Sequence, residues 1–246
     1  MQGMVPLSGF GGVPYSAVRK AAPRNILDNS DFTNLVAQAG IGGNHGSIAY
    51  AADRWILDSG TVSYAAGVGL TLNGTIRQKL EYPPTGETSA FVGMASGAAS
   101  ISYADGAVTI TSSGGVLKWA ALYGGVYSAA AMPEYQPKGY GAELAECQRY
   151  YQAFLNNAFL GTVVVDTNGV NFQGSIPCGE MRVRAPTIIG SIAAWDGLAA
   201  TAVSSVTAFK SQGNGMRING SLSSNVTQGK FLILYAATEV AFSADL

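Results

Sequence analysis

The stretch ASISYADGAVTIT (residues 99–111) decides the fold class of this chain. Apolar and polar residues alternate on both sides of Asp105-Gly106. An Asp-Gly pair between two alternating runs is one of the strongest local signals for a β-hairpin. Successive side chains of a strand point to opposite faces of a sheet, which is the pattern seen here. The sequence therefore predicts two antiparallel strands joined by a tight turn.

Neighbouring segments repeat this pattern. Residues 68–72 and 75–80 alternate around Asn73-Gly74, which predicts another hairpin. Gly114-Gly115 opens one more candidate strand at residues 116–123. Short strands separated by regular turn signals are typical of a sandwich or a jelly roll. We therefore expect residues 25–135 to form a jelly-roll-like β domain.

The chain changes character after Pro133 and Pro137. Residues 140–155 are predicted to form one amphipathic helix, because their apolar side chains recur at helical spacing. That apolar face consists of Leu144, Cys147, Tyr151, Phe154 and Leu155. Further candidate strands lie at residues 162–166 and 170–172, joined by a turn at 167–169, and at residues 181–195, 202–210, 216–222 and 230–237. The predicted fold is mainly β: a jelly-roll-like β-sandwich at residues 25–135, then a β-rich oligomerisation domain with one helix at residues 136–246.

The composition limits the possible partners. Only 12% of the residues are charged and 48% are hydrophobic, which is unlike a disordered chain. The net charge of −1 and the lack of a basic run argue against nucleic acid. A monomer with so little charge would expose sticky surface, so we expect a homo-oligomer, specifically a closed trimer.

The first 20 residues and the two cysteines are typical of a protein made in a reducing cytoplasm. The first 20 residues do not form a signal peptide pattern. The longest uncharged stretch, residues 59–76, is broken by Gly, Ser, Thr and Asn, so no membrane span is predicted. The two cysteines, Cys147 and Cys178, are expected to be free buried thiols rather than a disulfide or a zinc site.

Several segments together resemble a known family. The segments are NILDNSDF (25–32), AADRW (51–55), ELAECQRYY (143–151), MRVRAPT (181–187) after Pro177, and the ending ADL (244–246). In this order they resemble a domain that recurs in tail-fibre and other appendage proteins of tailed bacteriophages. The Cys-Gln-Arg-Tyr-Tyr helix is the most specific element. The chain departs from the family pattern at residues 120–125, which lack the acid of a Gln-Leu-Glu segment.

The resemblance implies a non-enzymatic structural component of a virion. Its place would be the tail fibre, baseplate, collar or head appendage, and the protein would be made in the host cytoplasm. The jelly-roll-like domain would be displayed for host attachment and would recognise a receptor or a surface glycan. The alternative is a polysaccharide-degrading tailspike enzyme, which would need two carboxyl groups across a cleft.

Two sets of residues are predicted to make contacts. The helix region is expected to supply the oligomer interface or the core, through Leu144, Cys147, Arg149, Tyr150 and Tyr151. Residues 1–24 form a Gly/Pro-rich arm with spaced apolar side chains, which suits a segment that orders on a partner. We expect this arm to dock onto another virion protein through Val5, Leu7, Phe10, Val13 and Tyr15.

No catalytic, cofactor-binding or metal-binding residue is predicted. His45 is the only histidine and lies in a glycine-rich segment. Asp28, Asp31 and Asp53 could bind calcium, or they could cap turns before a strand. The acids Glu81, Glu87, Glu134 and Asp166 are scattered and match no catalytic motif.

Overall fold

A computed structural model describes residues 23–45, 48–178, 181–182, 185–210, 215–227, 229–238 and 240–244. The predicted docking residues Val5, Leu7, Phe10, Val13 and Tyr15 lie outside these ranges.

Sixteen strands and one α-helix follow each other along the described chain. The strands are β1 (Asn44–His45), β2 (Ile48–Ala52), β3 (Trp55–Ala65), β4 (Gly69–Lys79), β5 (Thr88–Ser96), β6 (Ala99–Ala104), β7 (Ala107–Gly124), β8 (Tyr151–Phe154), β9 (Phe159–Val165), β10 (Asn171–Ile176), β11 (Thr187–Ile189), β12 (Ile192–Trp195), β13 (Ala200–Lys210), β14 (Met216–Leu222), β15 (Phe231–Ala236) and β16 (Val240–Ser243). The helix is α1 (Tyr140–Gln148). The predicted mainly β class with one helix is confirmed.

The first seven strands form an antiparallel sheet in the order β1-β2-β3-β4-β7-β5, and β6 also pairs with β7. The long strand β7 pairs with β4 along one edge, and β6 and β5 share its other edge. The hairpin predicted at residues 99–111 is confirmed: Asp105 and Gly106 have φ values of 51° and 72°, as a two-residue type I′ turn requires.

The hairpin predicted at Asn73-Gly74 is wrong. Gly69–Lys79 is one continuous strand, and the chain reverses instead between β3 and β4 at residues 66–68. Gly74 has a φ of 144° and faces Gly60, whose φ is 89°. Both glycines allow an unusually close approach of two backbones, so a Cβ on Gly74 would lie 2.1 Å from the carbonyl oxygen of Ser59.

The predicted helix is also too long. The helix ends at Gln148, and Tyr151–Phe154 forms β8, which pairs with β16. Leu155 is therefore exposed rather than buried, and Leu144 is only half-buried. Pairing of residues 151–154 with β16 is favoured over continuing the helix, because it gives hydrogen-bond partners to backbone groups that would otherwise lack them beyond the helix end.

The C-terminal half contains a closed barrel in the order β10-β14-β13-β12-β15-β9, beside a three-stranded sheet β11-β16-β8. Buried apolar side chains form two clusters, one from residues 27–122 and one from residues 160–244. Side chains along the barrel strands alternate between the inside and the outside. No helix of the described residues is long and apolar enough to cross a membrane.

Candidate functional site

NILDNSDF, AADRW and ELAECQRYY meet at one place, called the junction below, where the N-terminal sheet contacts α1 and the residues that follow it. In NILDNSDF, Asn25 donates to Ser30 Oγ (2.8 Å) and to the carbonyl of Ala120 (3.0 Å), and its Oδ1 accepts from the backbone of Leu122 (2.9 Å). These bonds tie the segment to strand β7. The buried side chain of Asn25 is therefore structural.

Asn29 ties the same segment to AADRW. It adopts a φ of 48°, and its side chain donates to the carbonyls of Val36 (2.8 Å) and Asp53 (2.7 Å). Its own carbonyl accepts a bond from Trp55 Nε1 at 2.8 Å. Asparagine tolerates this backbone conformation better than most residues, which explains its presence here.

The three aspartates considered for calcium each contact protein donors. Asp31 accepts bonds from the backbone and hydroxyl of Thr33, an Asx turn. Asp53 accepts two bonds from Gln38. Asp28 pairs with Arg54 and Lys138. The described residues contain no group of three or more His, Cys, Asp or Glu side chains placed to hold a metal.

Arg54 and Tyr150 form the centre of this junction. The guanidinium carbon of Arg54 lies 3.5 Å from the centre of the Tyr150 ring, a cation–π contact. Arg54 also contacts Asp28 (3.4 Å) and donates to the carbonyl of Lys79 (2.8 Å). The Arg54 side chain is only 4% exposed. This buried charge therefore connects the sheet directly to the segment that follows α1.

Glu81 completes the junction. Its Oε2 accepts from the Tyr150 hydroxyl at 2.7 Å and lies 3.1 Å from Arg149 Nη2, and its Oε1 lies 3.7 Å from Arg182 Nε. Burial alone would raise the pKa of Glu81, but the Tyr150 hydroxyl and the two arginines hold it below its usual value. A carboxylate stabilised in this way is unsuited to act as a general acid.

Lys138 holds the helix against the N-terminal segment. Its ammonium lies 3.1 Å from Asp28 Oδ1 and also contacts Glu146 Oε2. Burial would lower the pKa of Lys138, but Asp28 and Glu146 raise it above its usual value. The amine therefore stays charged and bridges the two acids.

The predicted contact residues lie in or beside this junction. Cys147, Tyr150 and Tyr151 are buried within their own chain, and Leu144 is half-buried. Arg149 is 44% exposed and pairs with Glu81 of the same chain. Both cysteines are free, and burial raises the pKa of each thiol, so neither is an activated nucleophile. His45, the one candidate imidazole, lies on the short strand β1.

Glu143 supplies a pH-dependent prediction. It is 2% exposed, and its Oε2 accepts from the backbone of Asn29 at 2.5 Å, while its buried Oε1 has no partner among the described residues. Burial raises the pKa of Glu143. A raised carboxyl pKa gives stability that is present at low pH and lost as pH rises through the folded-state value. The melting temperature of Glu143→Gln relative to the parent should therefore rise from pH 4 to pH 8.

For the matched control, Glu81→Gln, stability relative to the parent should change with pH in the opposite direction. Because the pKa of Glu81 is lowered, its charged form stabilises the fold at neutral pH, and Glu81→Gln should lose stability relative to the parent as pH rises. For a chain of this size, each kcal/mol corresponds to about 2–4 °C in melting temperature. Identical pH dependence of Glu143→Gln and the parent would contradict this account of Glu143.

The outer surface of the barrel carries two features that the sequence did not predict. The first is an apolar barrel face, formed by Phe159 (61% exposed), Trp195 (42%) and Phe231 (72%). The strand register places them around the outer side of β15: Trp195 faces Ile233, Phe159 faces Tyr235, and Phe231 lies two residues along β15 from Ile233. Large aromatic side chains are rarely left this exposed together unless they contact a partner.

The second feature is a polar groove of about 510 Å³ across strands β9, β10, β14 and β13. Its polar lining consists of Asn171, Gln173, Ser205, Thr207, Asn219 and Ser221, with Asp166 at one end. Asp166 is the single charged residue among the described residues that line it. The groove can donate and accept hydrogen bonds but offers little charge.

No family model, curated protein or solved structure matches this chain.

Proposed function

We propose that the chain is a non-catalytic structural subunit of a tailed-phage virion that assembles as a homotrimer and displays a binding surface for the host. The virion assignment rests on the resemblance of residues 25–246 to phage appendage proteins. The apolar barrel face is the structural observation that supports self-assembly. Residues 1–24 dock the trimer onto another virion protein at the particle surface.

A second copy of the same chain suits this face better than a charged partner. At one end of the face, Lys230 pairs with Asp196 at 2.7 Å, so the charges beside it neutralise each other. The whole chain carries a net charge of only −1, which leaves little long-range repulsion between copies. Burying each large apolar side chain contributes about 1.5–3 kcal/mol. Three copies around one axis close the assembly.

The junction supports display rather than catalysis. The charged groups around Tyr150 are paired with each other, as Glu81 with Arg149 and Arg54 with Asp28. These paired charges, of which Arg54 is almost fully buried, hold the sheet and the barrel half together. A subunit that must present one surface on a particle needs this kind of connection.

The double variant Trp195→Glu/Phe231→Glu tests the assembly. Light scattering at micromolar concentration should give three times the mass of one chain for the parent and the mass of a single chain for the variant, because two carboxylates would be buried in each interface. The control is Val68→Glu, which alters an apolar side chain that is 53% exposed between β3 and β4 of the N-terminal sheet and should stay trimeric.

The same variants test the virion role. Purified phage particles should contain the parent and Val68→Glu at equal copy number and should lack the double variant. A parent chain that is monomeric, or that is missing from particles, would overturn the proposal. Turnover of a polysaccharide by the pure parent protein would contradict its non-catalytic part.

A further inference from the structure

We propose that the polar groove binds a neutral carbohydrate, with Gln173 and Asn219 as the central contacts. The inference rests on the proposed function, because a displayed virion subunit needs a recognition surface. This recognition surface lies on the barrel, whereas the family resemblance implies one on the jelly-roll-like N-terminal domain.

The strand register builds the groove as two rows of outward side chains. Gln173 on β10 faces Asn219 on β14, and Asn219 faces Thr207 on β13. The second row contains Asn171, Ser221 and Ser205 in the same order of strands. Neighbouring strands are about 4.8 Å apart and alternate residues along a strand about 7 Å apart, so the rows present a regular grid of polar groups.

One side of the groove is fixed by internal hydrogen bonds. The amide nitrogen of Asn171 donates to Asp166 Oδ2 (3.2 Å), and its oxygen accepts from Ser221 Oγ (2.8 Å). Asp166 Oδ1 also accepts from the backbone nitrogens of Asn168 and Asn171. Both amide atoms of Asn171 are therefore occupied, and they shape the groove without needing a ligand.

The central pair is left with unpaired groups. Gln173 Oε1 accepts from Arg217 Nη2 at 2.9 Å, while its amide N–H groups have no partner among the described residues. Asn219 Oδ1 is shielded from water and receives no hydrogen bond from those residues. The outer torsion of an asparagine is broad, so a small rotation can turn this amide towards a ligand. The centre of the groove thus offers the N–H donors of Gln173 and the carbonyl acceptor of Asn219.

Sugar hydroxyls match this pattern. Each hydroxyl supplies one donor and two acceptor sites, and amide side chains supply the complements of both. An anionic ligand would need a free cation in the groove, but the one charged group among the described lining residues is the carboxylate of Asp166, and the neighbouring Arg217 already donates to Gln173. A peptide that adds to a sheet needs an open edge, whereas these strands belong to a closed barrel. Val164 gives an apolar rim beside Gln173 for the carbon face of a sugar ring.

The test is a glycan array that carries neutral and anionic oligosaccharides, probed with the full chain. The parent should bind at least one neutral glycan. Gln173→Glu should lower that signal at least tenfold, because the new carboxylate keeps the bond from Arg217 but has no N–H donors. Gln173→Ala/Asn219→Ala should abolish binding. The control Thr111→Ala changes an exposed hydroxyl of the N-terminal sheet and should leave binding unchanged.

Circular dichroism of each variant establishes that it is folded before it is compared. Absence of neutral-glycan binding by the parent, or unchanged binding by the folded Gln173→Glu variant, would overturn the proposal. Both results leave the trimer mass and the particle content untouched. A monomeric protein that still binds glycans through Gln173 would instead overturn the proposed function and leave the groove assignment standing.

Discussion

Arg54→Ala is expected to lower the free energy of unfolding by about 3–5 kcal/mol, because removing one partner of a buried ion pair leaves the other uncompensated. The change removes the contact with Asp28, the hydrogen bond to the carbonyl of Lys79 and the cation–π contact with Tyr150. Chemical denaturation gives the difference directly. The corresponding fall in melting temperature is about 6–20 °C.

The matched control is Arg77→Ala. Arg77 makes two hydrogen bonds to Asp58, each 2.9 Å long, so its pair is shorter than that of Arg54. Its side chain is 34% exposed, however, and exposed pairs contribute about 0–1 kcal/mol. Burial rather than bond length should therefore decide which variant loses more unfolding free energy, and Arg54→Ala should lose more than Arg77→Ala. Equal losses for Arg54→Ala and Arg77→Ala would show that the junction is not a stabilising element.

The sequence predicted strands well where the turn and the strand pattern agreed. At Asp105-Gly106 the chain does reverse. At Asn73-Gly74 the same kind of signal marks a close approach between two strands instead. A glycine with positive φ suits a turn, a bulge or a close backbone contact equally well. Which of these occurs depends on the neighbouring strand, and β3 supplies Gly60 at the facing position.

The predicted helix likewise depends on a partner that the local sequence does not reveal. Residues 140–155 keep an apolar pattern with a period of about 3.6, yet the last part pairs with β16. Short apolar runs fit a strand or a helix, and a distant partner decides between them. The sequence nevertheless identified residues that matter: Arg149, Tyr150 and Tyr151 all lie in or beside the junction. It could not show that Glu81 is the partner of Arg149 and Tyr150.

The barrel surface could not be predicted from the sequence, for a geometric reason. Gln173 and Asn219 become neighbours only through the register of β10 and β14. Each residue alone is an ordinary polar position on an alternating strand. Tryptophan side chains are mostly buried, but the position of Trp195 on β12 turns it outward and leaves it 42% exposed.

Gly74→Ala is the second substitution with a large expected effect. The φ of 144° at Gly74 lies in a region that is essentially restricted to glycine and costs other residues about 1–3 kcal/mol. A new Cβ would also lie 2.1 Å from the carbonyl oxygen of Ser59 and 2.8 Å from the Cα of Gly60. Forcing the two strands apart adds a further cost of about 1–3 kcal/mol, as for other overpacked sites.

The expected loss of unfolding free energy for Gly74→Ala is therefore about 2–6 kcal/mol, the sum of strain and overpacking. Gly141→Ala is the control, because Gly141 lies in α1 and a Cβ there meets nothing within 4 Å. Alanine is a better helix former than glycine by about 0.8–1 kcal/mol, so this variant should be slightly more stable than the parent. The two Gly→Ala changes should thus shift the denaturation midpoint in opposite directions. A Gly74→Ala protein as stable as the parent would mean that β3 and β4 do not approach each other at Gly60 and Gly74, and that Asn73-Gly74 could be the turn that its sequence suggests.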